Sequence, residues 1–257
     1  MLLTVLELYK ALDTAIPRSL SCDWDNDGLM CCPDPDREVR RVLIALDITE
    51  EVVDDAIEGG FDVILSHHPI IFKGLKAVEP SNAVARKAIK LIRNGIAAMS
   101  FHTRLDALTG GVNDVLAARL GLTNVTPFGV DTVPIGRIGE LEQPLPLEAF
   151  AEQVKLALHV PALSVADAHR PVHRVAVLGG SGSDEVAAAV SAGADTYLSV
   201  NLKYNQMVDA PDEGINLIEA GHFYTEQPIC YHLADMLREL DGEIETRVTW
   251  SCRIRTV

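Results

Sequence analysis

The stretch Arg41–Ser66, RVLIALDITEEVVDDAIEGGFDVILS, decides the fold, because it reads strand, helix, strand. Its run VLIAL is short and continuously apolar, as a strand buried on both faces requires. Thr49 is a predicted N-cap, and Val52, Val53, Ala56 and Ile57 form one apolar stripe. Gly59 and Gly60 end the helix, and DVILS is the next strand. A shift of 133 positions, from Arg41 to Arg174, reaches RVAVLGGSGSDEVAAAVSAGADTYLS. There Val53, Ala56, Gly60, Asp62 and Ser66 are matched by Val186, Ala189, Gly193, Asp195 and Ser199. A general likeness between βαβ units explains the apolar matches; internal duplication also explains Asp62 and Ser66. The expected fold class is α/β, as two related halves with helices flanking their sheets.

The duplication extends to GIAAMSFHTRLD, ending in His102 and Asp106, and GINLIEAGHFYTE, ending in His222 and Glu226. Each reads as an apolar strand followed by a loop carrying His-x-x-x-carboxylate and then a helix, roughly 112–120 and 228–240. Ligands of open α/β sheets bind at such strand ends. The Pro- and Gly-containing stretch 127–146 is the expected linker. It would separate a first half, 1–126, with His67, His68, His102 and Asp106, from a second, 147–257, with His222 and Glu226. In the second half LEAFAEQVKLAL reads as a helix and PALSVADAHRPVHR as a connection.

Composition narrows the function. Of 257 residues 48% are hydrophobic and 5% aromatic, an aliphatic bias that suits a sheet covered by helices. Thirty-seven acids against 22 bases give a formal charge of -15, which argues against a nucleic-acid surface. Five cysteines, with Cys31 and Cys32 adjacent, match neither a disulfide framework nor zinc spacing, so a reducing, cytoplasmic setting is expected. The N-terminus reads as an amphipathic helix with Glu7, Lys10 and Asp13 on its polar side, not as a signal peptide. No stretch approaches the roughly 20 apolar residues of a membrane span.

Four of the eight histidines (His67, His68, His102 and His222) stand at strand ends of the repeats, near carboxylates. A lone histidine is most simply a packed one, and a lone Glu226 a solvated first-turn carboxylate; neither reading explains the clustering. Adjacent side chains on a strand point apart, so His67 and His68 would reach different ions of one cleft. Imidazole with carboxylate, without thiolate, suits zinc, iron or manganese. Two divalent ions sharing one cleft are expected, with Glu226 the candidate bridge.

LSHHPIIFKGLK, SFHTRLDALTGGVNDVLAARLGL, SCDWDNDGL and EAGHFYTE, in their several places along the chain, resemble the Nif-three-like dinuclear-metal-centre family. Its members are often called GTP cyclohydrolase 1 type 2 homologues. The resemblance covers nearly the whole chain, in the family's shorter form without an inserted domain. It implies a toroidal homo-hexamer, metal ligands at His67, His68, Asp106, His222 and Glu226, and His102 beside the site. Asp23, Trp24, Asp25 and Asn26 match a family motif, either near the cleft or as a structural turn. The chain departs from the pattern at Asp27, Cys31 and Cys32, where many relatives read WDNVGLLVG, and at Tyr204-Asn205.

The implied function is a metal-dependent hydrolase of a nucleotide or related phosphorylated small molecule, with His102 shuttling a proton. A non-catalytic metal-binding protein for delivery, storage or sensing, and a scaffold stabilised by metal, use the same ligands. The loop TGGVND, at a helix start, is either an anion site or a plain helix entry.

Overall fold

A computed structural model of the chain describes residues 2–130 and 133–255. In chain order the elements are α1 (Val5–Ala15), β1 (Gly28–Cys31), β2 (Arg41–Ala45), α2 (Glu50–Glu58), β3 (Val63–Ser66), α3 (Ala83–Arg93) and β4 (Ala97–Ser100). There follow α4 (Thr103–Ala107), α5 (Val112–Arg119), β5 (Thr123–Phe128), β6 (Gly136–Leu145), α6 (Leu147–Leu158), β7 (Ser164–Ala166) and β8 (Val172–Ser181). The rest are α7 (Val186–Ser191), β9 (Thr196–Val200), α8 (Tyr204–Asp209), β10 (Asn216–Glu219), α9 (His222–Glu226), α10 (Pro228–Leu240) and β11 (Glu245–Val248).

The chain forms two packing units, Met1–Leu105 with Ile229–Arg253, and Asp106–Pro228 with Ile254–Val257. The first holds a five-stranded sheet in the order β1-β4-β3-β2-β11, the second a six-stranded sheet in the order β5-β6-β8-β9-β10-β7. This division departs from the expected halves. The supposed linker 127–146 contains β6, which pairs antiparallel with both β5 and β8. The supposed connection 161–174 supplies β7, antiparallel on β10. The last strand, β11, returns to lie parallel on β2.

At the centre of each sheet the repeat is plain. β2, β3 and β4 run parallel, as do β8, β9 and β10. Thr49 caps α2 by accepting from the Val52 amide at 3.2 Å, as its sequence position predicts. Asp62 accepts from the amides of Arg40 and Arg41 at 2.8 and 3.0 Å. Its counterpart Asp195 accepts from His173 and Arg174 at 3.0 and 2.7 Å. Each aspartate therefore ties the start of one parallel strand to its neighbour. An alanine at either position would strand two part-buried amides, so Asp62→Ala and Asp195→Ala should each cost about 2–3 kcal/mol. Urea unfolding of the two variants should show similar losses.

Period-two alternation fills the layers of the second unit. Val175, Val177, Leu198 and Ile218 face one core with Leu116 of α5 and Phe150 and Val154 of α6. Ala176, Leu178, Tyr197 and Leu217 face another with Ala189 of α7. In the first unit Leu43, Ala45, Ile64 and Ala98 pack with Val52, Val53 and Ala56 of α2 and Leu91 of α3. Among the described residues no helix is long and apolar enough to cross a membrane.

Candidate metal-binding residues

In the first unit the ends of β3 and β4 bring three imidazoles together. Ring centroids of His67, His68 and His102 lie 4.9, 5.3 and 5.6 Å apart. One ring nitrogen of each lies within 4.8 Å of the others. Each ring is held at Nδ1 by an oxygen. His67 donates to the Phe101 carbonyl at 3.0 Å, His68 to Asp47 at 2.8 Å and His102 to Asp25 at 2.8 Å. Carbonyl and carboxylate oxygens only accept, so Nδ1 carries the hydrogen and the neutral ring keeps its lone pair on Nε2. Metal-binding histidines are oriented in this way.

Asp25 does more than hold His102. Its second oxygen accepts from the Thr103 amide at 3.0 Å and the Thr103 hydroxyl at 2.6 Å. Burial alone would push its carboxyl up, but the hydrogen bonds from His102 and Thr103 outweigh it and hold it well below the usual carboxylate range. The Asp23–Asn26 segment, read as either cleft or turn, thus contributes a buried histidine-orienting carboxylate. Trp24 stands exposed, its ring 6.3 Å from that of His102.

In the second unit α9 carries two of the expected residues. The sequence pattern places His102–Asp106 and His222–Glu226 in strand-end loops, yet α4 and α9 are short helices. Five residues are too few for periodicity to reveal a helix. One turn brings His222 and Glu226 together, with Nε2 to Oε2 at 2.9 Å. A carboxylate oxygen of Asp106 lies within 4.8 Å of one of Glu226, and both residues are buried. Two carboxylates this close repel when both are ionised, and a divalent cation relieves that repulsion.

Room for Glu226 comes from Gly180. Its φ is +74°, and a Cβ there would stand 2.2 Å from Glu226 Oε1. The Gly180 amide donates to Thr225 Oγ1 at 3.3 Å, and the Gly179 amide to buried Asn113 at 2.7 Å. Asn113 in turn donates to the Asp106 carbonyl at 3.3 Å. The last residues of β8 therefore tie down both Asp106, through Asn113, and α9, through Thr225.

The strand registers refine the repeat. Ala97 pairs with Val63 and Asn216 with Thr196, so Ala97 corresponds to Asn216. Carried forward, His222 corresponds to Thr103 and His102 to Gly221, one residue off the sequence pairing of the two histidines. In the TGGVND loop the Gly110 amide donates to Asp114 at 2.8 Å, so this chain's own carboxylate takes the place of an external anion. Asp47, Arg104 and Gly180 were not singled out by sequence. Asp47 and Gly180 occupy equivalent positions of the repeat.

The donor chemistry of both sets fits zinc, iron or manganese. The model of the family Duf34/NIF3 (NGG1p interacting factor 3) matches residues 3–255. A Clostridium perfringens protein named GTP cyclohydrolase 1 type 2 homolog is 32% identical over 245 residues, covering 93% of each chain. A protein of the same name from Nostoc is 37% identical over 227 residues, covering 86% of this chain and 84% of its own. Among solved structures, the Staphylococcus aureus hypothetical protein SA1388 superposes with a TM-score of 0.90 at 28% identity over 100% of both chains. Reduced HcgD from Methanocaldococcus jannaschii gives 0.81 at 26% identity, over 96% of this chain and 97% of its own.

Proposed function

Because the chain belongs to the Duf34/NIF3 family, we propose that it binds two divalent metal ions and hydrolyses a nucleotide or related phosphorylated small molecule. In this reading His67, His68, Asp106, His222 and Glu226 hold the ions as one dinuclear centre. His102 stands beside them as a proton carrier or a further donor. The supporting observation is the trio of imidazoles brought together at the strand ends, each anchored at Nδ1 by an oxygen. Relatives named as GTP cyclohydrolase 1 type 2 homologs suggest the hydrolytic class, and the nucleotide is carried over from that name.

Bound ions would supply Lewis acidity and a water acidified toward neutral pH. The chain's own residues do the rest. Asp25 and Asp47 fix the tautomer and orientation of His102 and His68, and Gly180 leaves the space in which Glu226 stands. Assembly as a ring of six chains belongs to the same proposal, and light scattering reads it directly.

Elemental analysis of wild type beside His67→Ala and Glu226→Ala tests the reading. About two ions per chain are expected in the wild type, with a fall in both variants. Protein that stays metal-free after anaerobic incubation with iron, manganese or zinc would sink it. Turnover of a nucleotide by the loaded wild type, absent in Glu226→Ala, would support hydrolysis. Metal that passes to an acceptor without turnover would instead favour delivery or storage. In His102→Ala, metal retained with turnover lost identifies the proton carrier; metal lost identifies a donor.

A further inference from the structure

A cleft of about 760 Å³ opens in the first unit between the segment following His68 and the start of α3. That volume is in the range of small-molecule sites. Three of its walls are lysines, Lys73, Lys76 and Lys87, against a single acid, Glu79. This is a local excess of positive charge on a chain whose formal charge is -15. Most basic side chains of this unit are engaged by acids: Arg37 by Asp62, Arg86 by Glu50, Lys90 by Asp54 and Arg104 by Asp27. Lys73 and Lys76 meet no acidic side chain among the described residues. Lys87 is drawn into the wall, where burial pushes its ammonium down in pKa, and it donates one hydrogen bond, to the Ile48 carbonyl. An ammonium has three hydrogens to give.

The cleft also adjoins the histidines. Pro69, immediately after His68, and Ile70 line it, as does Phe72. The Phe72 ring is 6.0 Å from His102 and 6.1 Å from Trp24. Phe72 and Trp24 are both exposed, on a chain with only 5% aromatic residues. Exposed aromatic faces between a cationic cleft and a cluster of imidazoles suit a flat ring with an anionic tail.

We propose that this cleft is a binding site for a nucleoside phosphate, with its phosphates on Lys73, Lys76 and Lys87 and its base against Phe72 and Trp24. It names a substrate subsite for the function proposed above and rests on that reading only for what happens at the histidines. Anion binding itself needs no metal.

The experiment uses full-length protein stripped with EDTA, titrated at low ionic strength with ATP and, separately, with inorganic pyrophosphate. Lys73→Gln/Lys76→Gln should weaken both by at least about tenfold, since each lost lysine removes a charge-assisted contact. Phe72→Ala should weaken ATP and leave pyrophosphate unchanged. Wild type that binds neither probe would overturn the proposal, as would a double lysine variant that keeps wild-type affinity. A Phe72→Ala variant that weakens both probes equally would overturn the placement of the base. Metal content, measured on the same proteins, reads the metal proposal separately.

Discussion

Gly180→Ala is expected to lower metal affinity by at least about 100-fold, more than most changes at residues that only support a metal site. The new methyl group would lie 2.2 Å from Glu226 Oε1 and 3.6 Å from His222 Nε2, so the carboxylate must leave its position. It cannot shift by simple rotation of the helix, because Thr225 is tied to the Gly180 amide and to the His222 carbonyl. The backbone adds strain, since φ at +74° costs a side-chain-bearing residue about 1–2 kcal/mol. Gly193→Ala separates the two effects. It has φ of +80° but its Cβ would meet nothing closer than Arg174 Nε at 3.9 Å. Both variants should lose similar stability in urea, and only Gly180→Ala should lose metal by elemental analysis. Equal metal content in the two would show that Glu226 is not a ligand, or that it donates from another position.

Arg104→Ala should destabilise the protein by about 3–5 kcal/mol, a large part of an ordinary domain's stability. Its guanidinium is fully buried. It donates from Nε to Asp27 at 3.0 Å, and from Nη1 to Asp13 at 2.6 Å and the Ile16 carbonyl at 2.9 Å. It also lies over the Phe101 ring at 4.4 Å. Removing it leaves the Asp27 carboxylate, 1% exposed, as a buried charge without its closest cation. That residual charge is the main cost, so Asp27→Asn added to Arg104→Ala should recover part of the loss. A double-mutant cycle by urea unfolding measures the recovery; no recovery would mean that cavity and packing dominate. Asp27 also accepts from the His102 amide at 3.2 Å, so the single variant should loosen His102 as well. Asp27 is thus the counter-ion of a buried arginine.

The parallel centre of each sheet was legible because Arg41–Ser66 and Arg174–Ser199 repeat both apolar spacing and the strand-tying Asp62 and Asp195. Strand ends bearing His67, His68, His102 and His222 followed from the same pattern. β6 escaped because GRIGELEQPL mixes glycine, proline and charge, and its pairing partners are decided by tertiary contacts. The one-residue slip between His102 and His222 escaped because gapless sequence matching cannot see which residues pair across strands. Orienting carboxylates were hidden for another reason. Asp47 and Asp25 lie 21 and 77 residues from the histidines they hold, and nothing local marks such a partnership.

The return of β11 to β2 has a consequence during synthesis. Arg41 and Glu245, which form an ion pair where these strands meet, are 204 residues apart. At about 5–20 residues per second a ribosome needs on the order of 10–40 s to make the intervening chain. Through that interval the outer edge of β2 lacks its parallel neighbour, while the second sheet, built from one continuous stretch, can close first. The nascent protein therefore carries an open strand edge through that interval, and such an edge offers unpaired backbone groups to any other chain it meets.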